Sequence, residues 1–206
     1  MARNTKAKGK IVRRLGVNIY GNRKYDKLLK KKPHGPGVEK GKRVRKKESD
    51  YGKQLIEKQK IRFTYGLSEK QFFNIYVKAK KIAGLTGDNM MILLERRLDN
   101  VVYRLGMTQS RAQARQFVSH GHIRLNGKRS DIASIIVKEG DEILVKDNDA
   151  TKKVLRDCVS KNDRSVPSWL TFSEDDLKGK VERIPFRVDI DSVANEQMVV
   201  EFYSKF

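Results

Sequence analysis

Apolar positions recur at helical spacing from Ser49 onward. Ser49 or Asp50 is placed to cap a helix whose stripe is Tyr51, Leu55, Ile56 and Phe63, with Lys53, Glu57 and Lys60 opposite, and Gly66 to stop it. Ser68-Glu69-Lys70-Gln71 then reads as a capping box, with Leu67 and Phe72 at the spacing of a hydrophobic staple. The helix it opens carries Phe72, Phe73, Ile75, Tyr76, Ala79, Ile82 and Ala83. A third helix is predicted over 86–105, stopped by Gly106. It buries Leu94, Leu98, Val101, Val102 and Leu105 and leaves Arg96, Asp99 and Tyr103 on its other side. Three helices joined by short Gly-containing links predict a small helical unit.

The pattern then changes. Ser110-Arg111-Ala112-Gln113 is a second capping box, opening a short helix that ends at Gly121. At about 100° per residue, Ala114, Phe117 and Val118 share one face; Arg115, Gln116 and Ser119 share the other, with Arg111 at the border. A strand over 122–125 leads into Asn126-Gly127, the pair that a type I′ hairpin turn prefers. Further strands are predicted over 135–137 and 142–145, around the turn Glu139-Gly140-Asp141. Two helices thus feed a small sheet, with bases on the second helix and on the hairpin. Such a curved basic surface suits phosphates and minor-groove edges of folded RNA better than a B-form major groove. Acids 174–176 after Ser173 read as a helix N-terminus. Near the end, Met198, Val199, Phe202, Tyr203 and Phe206 form the apolar face of a last helix.

Charge sharpens this picture. The 206 residues carry a net charge of +21. Residues 1–47 hold 18 Lys and Arg against Asp26 and Glu39, so one fifth of the chain carries +16 of that excess. This stretch is rich in Gly and Pro, and its apolar clusters are too sparse for a core of their own. It is expected to be an arm that orders against its partner. Within it Arg13, Arg14, Ile19, Tyr20, Arg23 and Tyr25 interleave rings with bases, which suits nucleotides. A polyanion is the expected partner, with nucleic acid ahead of an anionic membrane surface. No apolar run approaches membrane-spanning length, and no signal-peptide pattern follows the basic N-terminus. Cys158 is the only cysteine, which excludes an intrachain disulfide and a cysteine-based zinc cage and fits a reducing cytosol.

Arg111 and Arg115 lie one turn apart, so they are candidates for successive phosphates. Arg124, Asn126 and Lys128 lie on the hairpin. His120 and His122 flank Gly121; a metal would need further ligands, so an RNA hydrogen bond or a helix-end carbonyl is the choice. Lys53, Lys58, Lys60 and Arg62 are plausible backbone contacts, although a charge-laced surface helix would look the same. Cys158 reads as a small semi-buried residue and Trp169 as packing. There is no phosphate-binding Gly loop, no His-Glu-x-x-His and no Gly-x-Ser-x-Gly, so no catalytic residue is assigned.

Residues 95–107 (ERRLDNVVYRLGM), 110–123 (SRAQARQFVSHGHI) and Asn126-Gly127-Lys128 resemble the RNA-binding module of the small-subunit ribosomal S-four family. Some RNA-modifying enzymes and synthetases share that module. Arg13-Arg14-Leu15-Gly16, residues 49–72, 166–170 (VPSWL) and 195–205 (NEQMVVEFYSK) resemble the ribosomal family itself, in order and at its spacing. The resemblance implies an α+β fold: a basic extended arm over 1–47, and a helical domain over 48–94 joined by a returning C-terminal helix over 195–206. A module of two helices and a small sheet over 95–160 interrupts that domain, and an irregular connection over 161–194 follows. It also implies that the chain binds small-subunit rRNA at a multi-helix junction and nucleates the subunit body. It would lie beside neighbouring small-subunit proteins where mRNA enters, and contribute to decoding accuracy, on cytoplasmic ribosomes. The RNA-binding set it supports is Arg13, Arg14, Lys53, Lys58, Lys60, Arg62, Arg111, Gln113, Arg115, Gln116, His120, His122, Arg124, Asn126 and Lys128. Some relatives hold zinc through four cysteines of the arm; this arm has none, and its only histidine is His34, so neither metal nor cofactor is expected. An RNA-modifying enzyme would need a catalytic domain that residues 150–206 are too short to supply. A DNA-compacting or membrane-surface protein would need only charge.

Overall fold

The capping signals around Ser49 and Ser68 set the first unit. In the computed structural model, which describes residues 7–37, 49–162 and 164–205, the chain divides into two compact units. One is Met1–Gly87 with Ser192–Phe206; the other is Asp88–Asp191. Helices α1 (Lys8–Leu15) and α2 (Arg23–Lys31) precede α3 (Asp50–Thr64) and α4 (Glu69–Lys80). Ser49 Oγ accepts the Gly52 N–H (3.2 Å), and Gly66, at φ +62°, takes the left-handed turn beyond α3. The box at α4 is complete: Ser68 Oγ accepts from the Gln71 N–H and the Gln71 side chain accepts from the Ser68 N–H, both at 3.3 Å. Leu67 and Phe72 are buried as the staple requires.

The arm departs from expectation. Residues 1–6 and 38–47 of it lie outside the described residues, but Lys8–Leu15 and Arg23–Lys31 are helical where the expectation was an extended arm. Ile11, Val12, Leu15 and Ile19 are buried against Tyr20, Tyr25 and Leu29, and also against Ile56 and Phe63 of α3. The arm's few apolar residues suffice because α3 lends them a second surface. On α3 itself, Tyr51 is 49% exposed, while Gln54, Lys58 and Ile61 are the buried residues.

The last helix, labelled α9 once the intervening elements are counted (Glu196–Ser204), returns to α3. Asn195 caps it by accepting from the Gln197 N–H (2.9 Å). Gln54 donates to Glu201 (3.0 Å), Lys205 donates to Gln54 (2.8 Å), and Glu57 accepts the Asn195 N–H (3.0 Å). Val199, Phe202 and Tyr203 are buried, with Tyr203 against Tyr76 (4.9 Å between centroids) and Phe72 (6.1 Å). Phe206 lies outside the described residues.

In the second unit the expected helix over 86–105 is two helices, α5 (Thr86–Glu95) and α6 (Leu98–Arg104). Between them the backbone of Arg96 and Arg97 is drawn into β pairing. Leu98 N–H donates to Ile135 O (2.8 Å), Val137 N–H donates to Arg96 O (2.8 Å), and Arg97 bridges Ile136. The strand expected over 135–137 is spent on that break and does not join the sheet. Helix α7 (Arg111–Ser119) follows, then β1 (Ile123–Leu125), β2 (Lys128–Ser130) and β3 (Glu142–Val145). Asn126 and Gly127 take φ +51° and +75°, the two positive values of a type I′ turn.

The remainder of the unit was not legible. Helix α8 (Asp149–Ser160), capped by Asn148, buries Thr151, Leu155 and Cys158. The expected irregular connection over 161–194 holds β4 (Leu170–Ser173) and β5 (Lys178–Val181), which complete an antiparallel sheet ordered β2-β1-β3-β5-β4. Acids 174–176 form the turn of that hairpin and do not open a helix. One sheet face carries Ile123, Ile143, Leu170 and Val181 into a core with Val101, Leu105, Val118, Leu155 and Trp169. Gly179 passes so close under Leu105 that a β-carbon there would collide with its methyl groups.

Candidate nucleic-acid interface

The sequence-selected bases separate into those whose charge is used inside the protein and those whose charge is free. In the first unit, Arg13 Nε and Nη2 donate to the carbonyls of His34 (3.1 Å) and Gly35 (3.0 Å), which latches the His34–Gly37 turn to α1. Arg14 is exposed. Lys53 is half exposed, 3.4 Å from Asp50. Lys60 sits 2.6 Å from Glu57, both mostly covered. Arg62 grips Gln59 Oε1 with two nitrogens (2.9 and 2.7 Å) and lies over the Phe63 ring (4.4 Å).

Lys58 corrects the expectation outright. It is 5% exposed, its amine 2.5 Å from Glu69 and 4.5 Å from the Phe202 ring centroid, so it has no surface to offer RNA. Burial pushes the Glu69 carboxyl up, but hydrogen bonds from Lys58 and Tyr203 and the nearby Lys58 and Arg62 charges hold it below its ordinary value.

The second unit holds a lattice that sequence reasoning missed. Asp99, placed on the open side of its helix from the sequence, is 4% exposed. Arg97 forks onto it (3.1 and 2.9 Å), and Arg115 reaches Oδ2 with Nε (2.8 Å) and Nη2 (2.6 Å). Glu95, 1% exposed, takes the fork of Arg104 (2.9 Å twice) and the Asn100 amide (2.7 Å). Arg111 donates to Asn100 Oδ1 (2.7 Å), lies 3.9 Å from Glu95 and stacks on Tyr103 (4.4 Å). Arg111 and Arg115, read as phosphate contacts, are therefore first of all the counterions of two buried carboxylates. Such pairs are costly to break from one side.

Other polar candidates are also committed. Ser110 accepts from the Gln113 N–H (3.3 Å), but Gln113 does not close the box. Its Oε1 accepts from the Gln109 N–H (3.0 Å) and its Nε2 faces Cys158 Sγ (3.4 Å). Asn126 donates to Asp141 (2.8 Å) and accepts from the Glu142 N–H (2.8 Å), so its amide locks the hairpin turn against the β3 entrance.

Free charge collects along the hairpin instead. Arg124 and Lys128 are exposed and, among the described residues, form no side-chain hydrogen bond or ion pair; the same holds for Gln116. Arg129 and Lys146, which the sequence did not single out, share that state. Arg124 and Arg129 are direct cross-strand partners, and like charges so placed repel. The Asn126-Gly127 turn, which places Arg129 opposite Arg124, was the signal available for it. His120 is exposed; His122 is partly covered, and burial, then the charges of His120 and Lys146, hold its pKa below the usual value. In the first unit, Lys24, Lys27, Lys30 and Lys31 of α2 are exposed and without ion pairs among the described residues. Their spacing of about one turn marks one face of that helix.

No three His, Cys, Asp or Glu among the described residues are grouped to hold a metal ion. No helix among them is long and apolar enough to cross a membrane.

Residues 3–95 match the family described as "Ribosomal protein S4/S9 N-terminal domain", and residues 96–143 match the "S4 domain". The chain is 55% identical over 207 residues to small ribosomal subunit protein uS4 of Borreliella burgdorferi (strain ZS7), covering 100% of this chain and 99% of that protein. It is 54% identical over 207 residues, with the same coverage, to that of Borrelia hermsii (strain HS1 / DAH). It is 52% identical over 198 residues to that of Treponema denticola, covering 96% of each chain.

Proposed function

This chain belongs to the family of small ribosomal subunit protein uS4, and we propose that it is a structural constituent of the small subunit that binds small-subunit rRNA and performs no chemistry. The observation that carries this reading is the split between paired and free cations. A rigid helix–hairpin body, its helix arginines pinned to buried carboxylates, carries Arg124, Lys128 and Arg129 along one hairpin and Lys146 beside it just past β3, none of the four in an ion pair among the described residues. The first unit adds Arg14 and the α2 lysines. Unpaired cations on a fixed frame recognise the shape of a folded polyphosphate.

On this reading the free set touches rRNA at a multi-helix junction, with Gln116, His120 and His122 beside it, and early binding there nucleates assembly of the subunit body. Neighbouring small-subunit proteins and incoming mRNA lie against the same protein, which gives it a part in decoding accuracy on cytoplasmic ribosomes. Competition decides the matter: the full chain is bound to the five-prime domain of small-subunit rRNA at moderate salt and challenged with duplex DNA of equal length. Retention of the rRNA in tenfold DNA excess is expected, with protections clustered at one junction. Equal displacement by DNA, or protection scattered over the RNA, overturns the reading.

A further inference from the structure

Between α7 and β1 the chain turns through His120, Gly121 and His122. Gly121 has φ +70°, and a β-carbon there would lie 2.6 Å from Arg129 Nε and 3.1 Å from both its Cζ and Nη2. The Arg129 guanidinium thus rests across bare backbone between the two histidines, a position only glycine leaves open. The His120 ring, exposed, stands 6.0 Å from that of His122. The His122 ring is held from behind, 5.4 Å from Phe117, with Nδ1 3.3 Å from Thr151 Oγ1. An exposed ring, a braced ring and a guanidinium therefore share one turn.

Among the described residues no carboxylate lies within ion-pair distance of Arg129 or of its cross-strand neighbour Arg124; Asp147, paired with Lys152, feels the Arg124 charge only from farther off. Two histidines are too few ligands for a metal. A duplex presents phosphates but hides its base faces, and would leave the rings unused. An unpaired nucleotide presents both a base face and flanking phosphates, matching rings and cations together.

We propose that the His120–Gly121–His122 turn, with Arg129 laid over Gly121, is a reading site for one unpaired RNA nucleotide, whose base stacks on the His120 ring and whose flanking phosphates meet Arg124 and Lys146. The proposal rests on the reading of the chain as rRNA-binding and adds the class of nucleotide it selects.

The test uses the full chain and two RNAs, a perfect 20-base-pair duplex and the same duplex with one bulged adenosine. The bulged RNA should bind about tenfold more tightly, the order expected of one base–ring stack. The ratio should fall toward one in His120→Ala and return in His120→Phe, which keeps a ring and removes the imidazole nitrogens. Trp169 emission checks that each variant is folded. Equal binding of the two RNAs by the native chain, or an undiminished ratio in His120→Ala, overturns the reading site alone. Failure of both RNAs to outcompete duplex DNA overturns the rRNA-binding reading as well.

Discussion

Replacing Arg115 with alanine should damage the fold before it damages RNA binding. Its guanidinium makes two contacts to Asp99, at 2.8 and 2.6 Å, with 22% of the side chain exposed. A hydrogen bond to a charged group is worth about 1.5–3 kcal/mol. Arg97 stays on Asp99 after the change, so the carboxylate is not stranded, and the loss should be about 2 kcal/mol. Asp99→Ala is harsher. It leaves Arg97, whose side chain is 5% exposed, without its anion, and removing one partner of a buried pair costs about 3–5 kcal/mol. The double variant should cost less than the sum by about 1–2 kcal/mol, since the shared contact is lost only once.

The single tryptophan, Trp169, is 1% exposed in the core of the second unit, so its emission reports that unit's unfolding. At a urea dependence of about 2 kcal/mol per M, the midpoint should fall by about 1 M in Arg115→Ala and about 2 M in Asp99→Ala. Arg124→Ala is the contrast: no fall in the midpoint, since it relieves the repulsion from Arg129, and a log–log salt slope for rRNA binding shallower by about one. An Arg115→Ala protein with an unmoved midpoint and the same loss of slope would refute the counterion assignment and restore this arginine as a phosphate contact.

Gly179→Ala should destabilise the second unit by about 1–3 kcal/mol, because the new methyl group meets Leu105; the double variant with Leu105→Ala, itself costly because Leu105 is fully buried, should lose less than the sum of the two single changes in the same fluorescence assay. Glu69 should make the first unit acid-sensitive. Its folded-state pKa is depressed, so its stabilisation is complete above the ordinary carboxylate range and is lost as pH falls through the lowered value. Glu69→Gln should therefore flatten the decline of helical circular dichroism on acidification, and an unchanged acid profile would count against the Lys58–Glu69–Tyr203 cluster.

What the sequence revealed was local. The box at Ser68–Gln71 and the Asn126-Gly127 turn are short-range signals, and both stand in the structure because their hydrogen bonds and φ angles involve neighbouring residues. The returning helix was legible from its apolar face. Long-range partners were not. Whether α1 and α2 have a core depends on Ile56 and Phe63 of α3, some 30 or more residues away. Strands β4 and β5 are four residues each, and β5 reads Lys-Gly-Lys-Val, too polar to announce a strand until β3 supplies its partner. The site divides in the same way. Exposed Arg124 and Lys128 could be seen as bases on a hairpin, whereas the pairing of Arg111 and Arg115 required knowing that Asp99 and Glu95 are buried beneath them. Lys58 failed for a related reason: its stem covers rings that arrive from the far end of the chain.

One cleavage experiment bears most directly on the claim that the hairpin's free cations face rRNA. Cys158 is buried, 5% exposed and the only cysteine, so Lys128→Cys in a Cys158→Ser background offers a single exposed thiol for an iron chelate. In reconstituted small subunits, hydroxyl radicals from residue 128 are expected to cut small-subunit rRNA at a compact cluster of nucleotides. An uncut RNA, with the tethered protein fully incorporated, would place the hairpin in solvent and contradict the account.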